Sequence, residues 1–131
     1  MNQIQPQIAV AEAYVRAADL LGLYAAVRVG PVGDGESISV MLTPGAQRTV
    51  YLDSTVRQRV CLMIICASRD RLRAADAAAR LYNAVPRLQV EDALTVVEAV
   101  IPLSPPQEAG VEPDGRVIFT ASVAVDFTTK G

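Results

Sequence analysis

The stretch that decides the fold is RTVYLDSTVRQRVCLMIICAS, residues 48–68. Two runs of β-forming residues flank a turn at 53–54 and predict a β-hairpin. In the second run Arg57 and Arg59 alternate with valines near the turn, whereas 61–66 is apolar at every position. This change in character predicts a strand that begins as an exposed projection and ends as a central strand covered on both faces.

Two helices are predicted, one on either side of these strands in the chain. The first has an apolar stripe at helical spacing, formed by Ile4, Ile8, Ala11, Val15, Ala18 and Leu21. The second begins after Ser68, a favourable N-cap, with Asp70 in its first turn, and ends before Pro86. Its predicted apolar stripe is formed by Leu72, Ala75, Ala79 and Tyr82.

The remaining strands lie in the first and last thirds of the chain. Short strands are predicted at 24–29 and at 38–42, where Ile38, Val40 and Leu42 should face inward. Longer ones are predicted at 94–101 and 116–128. In the last strand the inward residues are Val117, Phe119, Ala121, Val123, Val125 and Phe127. The proline-rich, acidic segment between these two strands predicts a long loop, and such loops are often binding elements.

Composition fits one globular domain, because 51% of the 131 residues are hydrophobic and 20% are charged. We therefore predict a single α/β (α+β) domain, residues 1–131, with a mixed, largely antiparallel sheet flanked by two helices. A hairpin at about 47–59 and a long loop at about 102–115 should project from it. The net charge of −2 argues against a dedicated nucleic-acid binder, which normally carries a basic excess.

The sequence also indicates where the protein is made. No segment reaches the roughly 18 apolar residues of a membrane span, and the N-terminus lacks the basic region of a signal peptide. We therefore expect synthesis in the cytoplasm and no membrane partner.

No catalytic constellation can be assembled from the sequence. It has no histidine, the commonest general base and metal ligand. Cys61 and Cys66 would lie about 16 Å apart on opposite faces of a strand, too far for a disulfide, and should be reduced core thiols. The carboxylates lie in predicted turns without the spacing of a calcium loop. We expect no catalytic, cofactor-binding or metal site, and no enzyme activity.

The order of helix, several strands, helix and two-stranded hairpin resembles the small α/β proteins that cap the tails of long-tailed bacteriophages. These are the tail-terminator, minor capsid or tail-completion proteins. The resemblance rests on the N-terminal helix, the hairpin with its apolar strand (48–66), the helix at 69–81 and the final strand at 114–127. It implies a tail-terminator-like fold and a ring, usually a hexamer, that stops tail-tube growth and provides the surface for joining the head.

The same resemblance implies partners and a location. The partners are further copies of this chain, the tail-tube protein and a head-completion or connector protein, while DNA only passes through the lumen of the ring. The location is the head-proximal end of the tail in the virion.

Two segments of opposite charge suggest how such a ring could close. Arg48, Arg57 and Arg59 lie on the predicted hairpin, and Glu108, Glu112 and Asp114 lie on the predicted loop. A head-to-tail ring needs two different complementary patches on each subunit. We predict that these six residues, with apolar contacts from Tyr51 and Leu103, form the subunit interface.

A second interpretation belongs to another functional class. A small ferredoxin-like α/β module that binds a ligand or regulates another protein would have a similar size and composition. A dimer whose stability changes with a small molecule would favour it.

Overall fold

The computed structural model describes residues 6–43, 48–50, 55–84 and 95–129. Its elements are α1 (Pro6–Asp19), β1 (Val27–Val29), β2 (Ser37–Thr43), β3 (Arg48–Val50), β4 (Val56–Ser68), α2 (Arg71–Ala84), β5 (Thr95–Val111) and β6 (Val117–Thr129). The strands form one sheet of order β1-β2-β4-β6-β5, in which β3 also pairs with β4. Among the described strands, only β1 and β2 pair in parallel. The predicted mixed, largely antiparallel sheet with two helices is confirmed.

The central strand is β4, as its apolar run predicts. It pairs with β6 along its whole length, from Val56 opposite Thr129 to Ser68 opposite Val117. On its other side it pairs first with β3 and then with β2. The predicted hairpin is therefore present as β3 and β4, although its turn lies outside the described residues. Residues 56–59 do not project from the sheet, because they are already paired with β6.

Both helices cover the same face of the sheet. Alternate residues of β4 and β6 point toward them and form one core, which includes Val60, Leu62, Ile64 and Cys66 of β4 and Ala121, Val123, Val125 and Phe127 of β6. The two helices are joined across this core because the hydroxyl of Tyr14 donates a 2.9 Å hydrogen bond to the carbonyl of Leu81. The inward residues predicted for β6 are thus confirmed, except that Val117 lies outside this core and Phe119 is only half-buried.

The opposite face of β4 is only partly covered. The segment 30–36 lies over one end of it, where Arg116 Nη1 donates hydrogen bonds to the carbonyls of Gly33 and Gly35. Beyond this segment the side chain of Met63 is 37% exposed. The prediction that 61–66 is covered on both faces is therefore confirmed for 64–66, where Ile65 on this face is buried, and wrong for Met63.

The buried stripe of α2 also differs from the prediction. Ala74, Ala77, Ala78 and Leu81 are buried, whereas Leu72 is 80% exposed. Three alanines on one stripe allow the helix to lie close to the sheet, so the alanines and not the first leucine mark its packing face. In α1, likewise, Val10 and Tyr14 are fully buried but Ile8 of the predicted stripe is 40% exposed.

The cap of α2 is Asp70 and not Ser68. Asp70 Oδ1 accepts hydrogen bonds from the backbone N–H groups of Leu72 and Arg73, which have no partner within the helix. Ser68 Oγ accepts the N–H of Asp70 and donates to Glu36 Oε1. Ser68 thus fixes the chain two residues before the cap.

The predicted loop at 102–115 is instead mostly strand. The pairing of β5 with β6 continues to Val111 opposite Val117, and only 112–115 forms the turn. Gly115 supplies the positive φ (91°) that this turn requires. The prolines are tolerated because β5 lies at the edge of the sheet, where one side of the strand needs no ladder hydrogen bonds. Register shifts accommodate the remaining irregularity.

The short strands at the other edge are less regular than predicted. β1 occupies only Val27–Val29 of the predicted 24–29. The hydroxyl of Tyr24 lies instead 2.9 Å from the carbonyl oxygens of both Ser37 and Ala67, across the ends of β2 and β4. In β2, Ile38 and Val40 are buried as predicted, but Leu42 is 38% exposed.

Candidate subunit-contact surfaces

The side of the sheet that carries no helix presents two methionines side by side. Met41 of β2 is the direct partner of Met63 of β4, and Ser122 of β6 lies on the other side of Met63. Both methionine side chains are 37% exposed. We call this surface the helix-free face, and its central residues are Met41, Thr43, Cys61, Met63, Thr120 and Ser122. These central residues are uncharged, and exposed methionines adapt readily to a protein partner.

One end of the helix-free face carries a charge cluster that the sequence analysis did not find. Arg59 donates two hydrogen bonds to Asp126, from Nε to Oδ1 (2.6 Å) and from Nη2 to Oδ2 (3.1 Å). Arg57 Nη2 lies 3.4 Å from the same Oδ2. The Asp126 side chain is 6% exposed, against 30% for Arg59 and 50% for Arg57. Two guanidinium groups share the Asp126 carboxylate, and a second carboxylate, that of Glu98 on β5, lies at the same end, where it accepts a hydrogen bond from Thr128.

The protonation of this cluster follows from its geometry. The hydrogen bond from Arg59, followed by the charges of Arg59 and Arg57, holds the pKa of Asp126 below its ordinary value against the opposing effect of burial. The same contact raises the pKa of Arg59. Asp126 therefore stays ionised near neutral pH, and the cluster is a fixed structural feature of the β4–β6 pair.

The predicted acidic patch lies at the opposite end of the sheet. Glu108 Oε1 is 2.6 Å from Arg71 Nε of α2. Asp114 Oδ2 is 2.8 Å from Arg116 Nε, and its Oδ1 accepts the backbone N–H of Arg116, the first cause of its lowered pKa. Glu112 is exposed in the turn. Glu108 and Asp114 thus have partners within their own chain, so both ends of the predicted interface are partly neutralised in the single subunit.

The structure separates the two groups that sequence analysis placed at an interface. Arg59 is level with residue 126 of β6, whereas Glu108 is level with residue 119. Seven residues of strand correspond to about 23 Å. The two groups can meet only between subunits. Of the other predicted interface residues, Arg48 lies in β3, Leu103 is 44% exposed on β5, and Tyr51 lies outside the described residues.

The two cysteines occupy opposite faces of β4, as predicted. Cys66 is fully buried among core residues, and burial raises its pKa to about 12, so its thiol stays protonated. Cys61 is half-buried on the helix-free face. Both thiols are free. Their places agree with structural roles, one in the core and one beside Met63.

The described part of the chain offers little to hold a ligand. It contains no group of three or more histidine, cysteine, aspartate or glutamate side chains placed to bind a metal ion. An open cavity of about 360 Å³ lies between β1, β2 and the segment 30–36, with Arg28, Asp34 and Glu36 among its lining residues. No helix within the same ranges is long and apolar enough to cross a membrane.

Two features of these surfaces could not be read from the sequence. The methionine pair and the Arg59–Asp126 contact both depend on strand register, which brings together residues more than twenty positions apart in the chain. The only available signal was the lone acidic residue in the otherwise uncharged strand β6. Comparison with protein-family models and with curated proteins finds no match for this chain.

Proposed function

We propose that this chain is a structural assembly protein that forms a ring at the end of a phage tail tube and offers the surface for joining the head. The observation that carries the proposal is the helix-free face. A sheet with helices on one side leaves the methionine pair and its uncharged surroundings half-exposed, and apolar surfaces of this kind mark contacts with other proteins. The element order that resembles the tail-terminator proteins supports the same function.

In this proposal the partners are further copies of the chain, the tail-tube protein and a head-completion or connector protein. DNA passes through the lumen without sequence-specific contact. The ring, usually a hexamer in the resembling family, lies at the head-proximal end of the tail in the virion. The helix-free face binds the end of the tail tube, and the chain has no catalytic role.

The small cavity beside β1 favours a second candidate, a ligand-binding or regulatory module. Its volume of about 360 Å³ lies at the lower end of the range of small-molecule sites. The ferredoxin-like arrangement expected for that candidate has the order βαββαβ. Within the described residues the order is one helix, four strands, one helix and two strands. We therefore rank the ligand-binding candidate second.

The proposed function can be tested in a phage that carries the gene. Removing the gene should leave tails of unregulated length that do not join heads, and supplying the chain should restore both. A double variant, Met41→Lys with Met63→Lys, should form rings but fail to cap tails, because two charges would cover the helix-free face. Electron microscopy of lysates and of the purified variant measures both properties.

The matched control is Leu72→Lys, which changes an exposed leucine on the opposite, helical side of the domain. It should restore capping fully. Normal tails without the gene would overturn the proposed function. Full capping by the double methionine variant would show that the helix-free face does not bind the tail tube.

A further inference from the structure

Two edges of the sheet have no partner strand among the described residues and lie at the same level. Reading straight across the sheet, Val50 of β3 is opposite Val56, then Thr129 of β6 and Thr95 of β5. Two residues further on, Arg48 is level with Val97 of β5 in the same way. At this end the sheet is therefore a band of four strands, bounded by β3 on one side and by the first part of β5 on the other.

The first part of β5 carries fewer of the features that protect a strand edge than its second part, with one register shift, between Val97 and Ala99. Prolines 102, 105 and 106 and three of the four register shifts lie in its second part. Residues 95–101 contain no proline and are rich in β-branched residues. The one acidic residue there, Glu98, accepts a hydrogen bond from the hydroxyl of Thr128 on β6 and is thus held within the subunit. An edge with so few protective features readily pairs with another strand.

The strand directions of the two edges are compatible in a head-to-tail ring. β3 is antiparallel to β4, and both β4 and β5 are antiparallel to β6. β3 therefore runs antiparallel to β5. Rotation about a ring axis that carries one sheet on into the next keeps these directions. The β3 edge of one subunit then meets the β5 edge of its neighbour as an antiparallel pair, the commoner pairing in proteins.

We propose that β3 of one subunit pairs with residues 95–101 of the next, so that the sheets continue around the ring. The partner is a second copy of this chain, and the proposal rests on the ring of the proposed function. Main-chain hydrogen bonds supply the affinity, as in other cases of strand addition. Val96, which is 53% exposed, becomes covered. The contact uses the predicted hairpin but replaces the acidic segment with the first part of β5.

The first test compares two exposed valines of the same strand. Val96→Lys places a charge in the proposed contact, and Val111→Lys places the same charge in the proline-containing part, where the side chain is 59% exposed. Analytical ultracentrifugation over a concentration series should show rings for the wild type and for Val111→Lys. Val96→Lys should remain monomeric with an unchanged melting temperature. Rings formed by Val96→Lys at wild-type concentrations would overturn the proposal.

The second test detects the contact directly. In a Cys61→Ala background, Thr49→Cys combined with Val96→Cys should give a ladder of covalent oligomers with a short bis-maleimide. Thr49→Cys combined with Val111→Cys should give only monomer. A ladder from both pairs, or from neither, would overturn the proposed pairing.

The two proposals can fail separately. Rings that crosslink as described but do not cap tails would contradict the tail-terminator function and leave the strand pairing standing. If Val96→Lys still formed rings and capped tails, the strand pairing would be contradicted and the tail-terminator function would stand. A wild-type chain that stays monomeric at every concentration and on tails would overturn both.

Discussion

Asp126 shows how a single residue can fix the pairing of two strands. Its carboxylate is nearly buried and receives both Arg59 and Arg57 from the neighbouring strand. A shift of the register by one residue would point it toward the apolar core beneath the helices. The cluster therefore favours the observed register and also stabilises the folded subunit.

Replacing this carboxylate should destabilise the subunit. Asp126→Ala removes charged hydrogen bonds, each of which contributes about 1.5–3 kcal/mol, but leaves behind arginines that can turn toward water. We expect a loss of about 2 kcal/mol in the free energy of unfolding, measured by urea denaturation. Asp76→Ala is the control, because its pair with Arg80 on α2 is exposed and should contribute under about 0.5 kcal/mol. Equal effects of the two changes would contradict this role.

The same residue predicts a pH dependence. Because the pKa of Asp126 is lower in the folded chain than in the unfolded one, its stabilisation is complete above the unfolded value, about 4. The stabilisation is lost as the pH falls further through the folded value. Between pH 5 and acid conditions, wild-type stability should therefore fall more steeply than that of Asp126→Asn. Parallel curves for the two proteins would show that another group controls the acid transition.

At the scale of elements, the start of α2 depends on one cap. Asp70→Ala would leave the N–H groups of Leu72 and Arg73 without their acceptor and should cost about 1 kcal/mol. Asp70→Asn and Asp70→Ser keep an acceptor oxygen and should recover most of this loss. Thermal unfolding checks the series. If the alanine and serine variants melt together, the cap is supplied by another group.

The elements also show what sequence patterns can and cannot predict. β6 is predicted well because its apolar residues alternate with a strand period. β4 is located correctly by its continuous apolar run, but such a run does not show which face the helices cover. α2 is predicted with the wrong face because Leu72 is more hydrophobic than the alanines, whereas close packing on a sheet selects the small residues. The segment 102–111 is missed because proline argues against a strand in general, although an edge strand needs hydrogen bonds on one side only.

The candidate site, too, could be predicted from the sequence only in part. Arg57 and Arg59 stand out in the sequence as charges in a β-forming run, but their partner Asp126 is set by register between strands that are distant in the chain. The pair of Glu108 and Arg71 could not be predicted either, because it depends on how helix α2 packs on the sheet. The candidate contact surfaces are properties of the folded sheet, and no short segment contains them.

At the scale of the whole molecule, folding buries one face of the sheet under the helices and leaves the methionine pair on the other face partly exposed. Two adjacent residues of β4 test this asymmetry. Ile64 is fully buried under the helices, and Ile64→Ala should cost about 2–5 kcal/mol through lost burial and the cavity left behind. Met63 points to the helix-free face, and Met63→Ala should cost under about 1 kcal/mol in the monomer.

The two variants should have the opposite order of effect on tail capping. Met63→Ala should weaken the holding of the tail tube at little cost to the fold, whereas Ile64→Ala should lower the melting temperature but, where folded, leave capping intact. Urea denaturation of the dilute monomer and capping assays below the melting temperature separate the two effects. If Met63→Ala destabilised the monomer as much as Ile64→Ala, both faces of the sheet would be core, and the surface that we assign to assembly would already be used in folding.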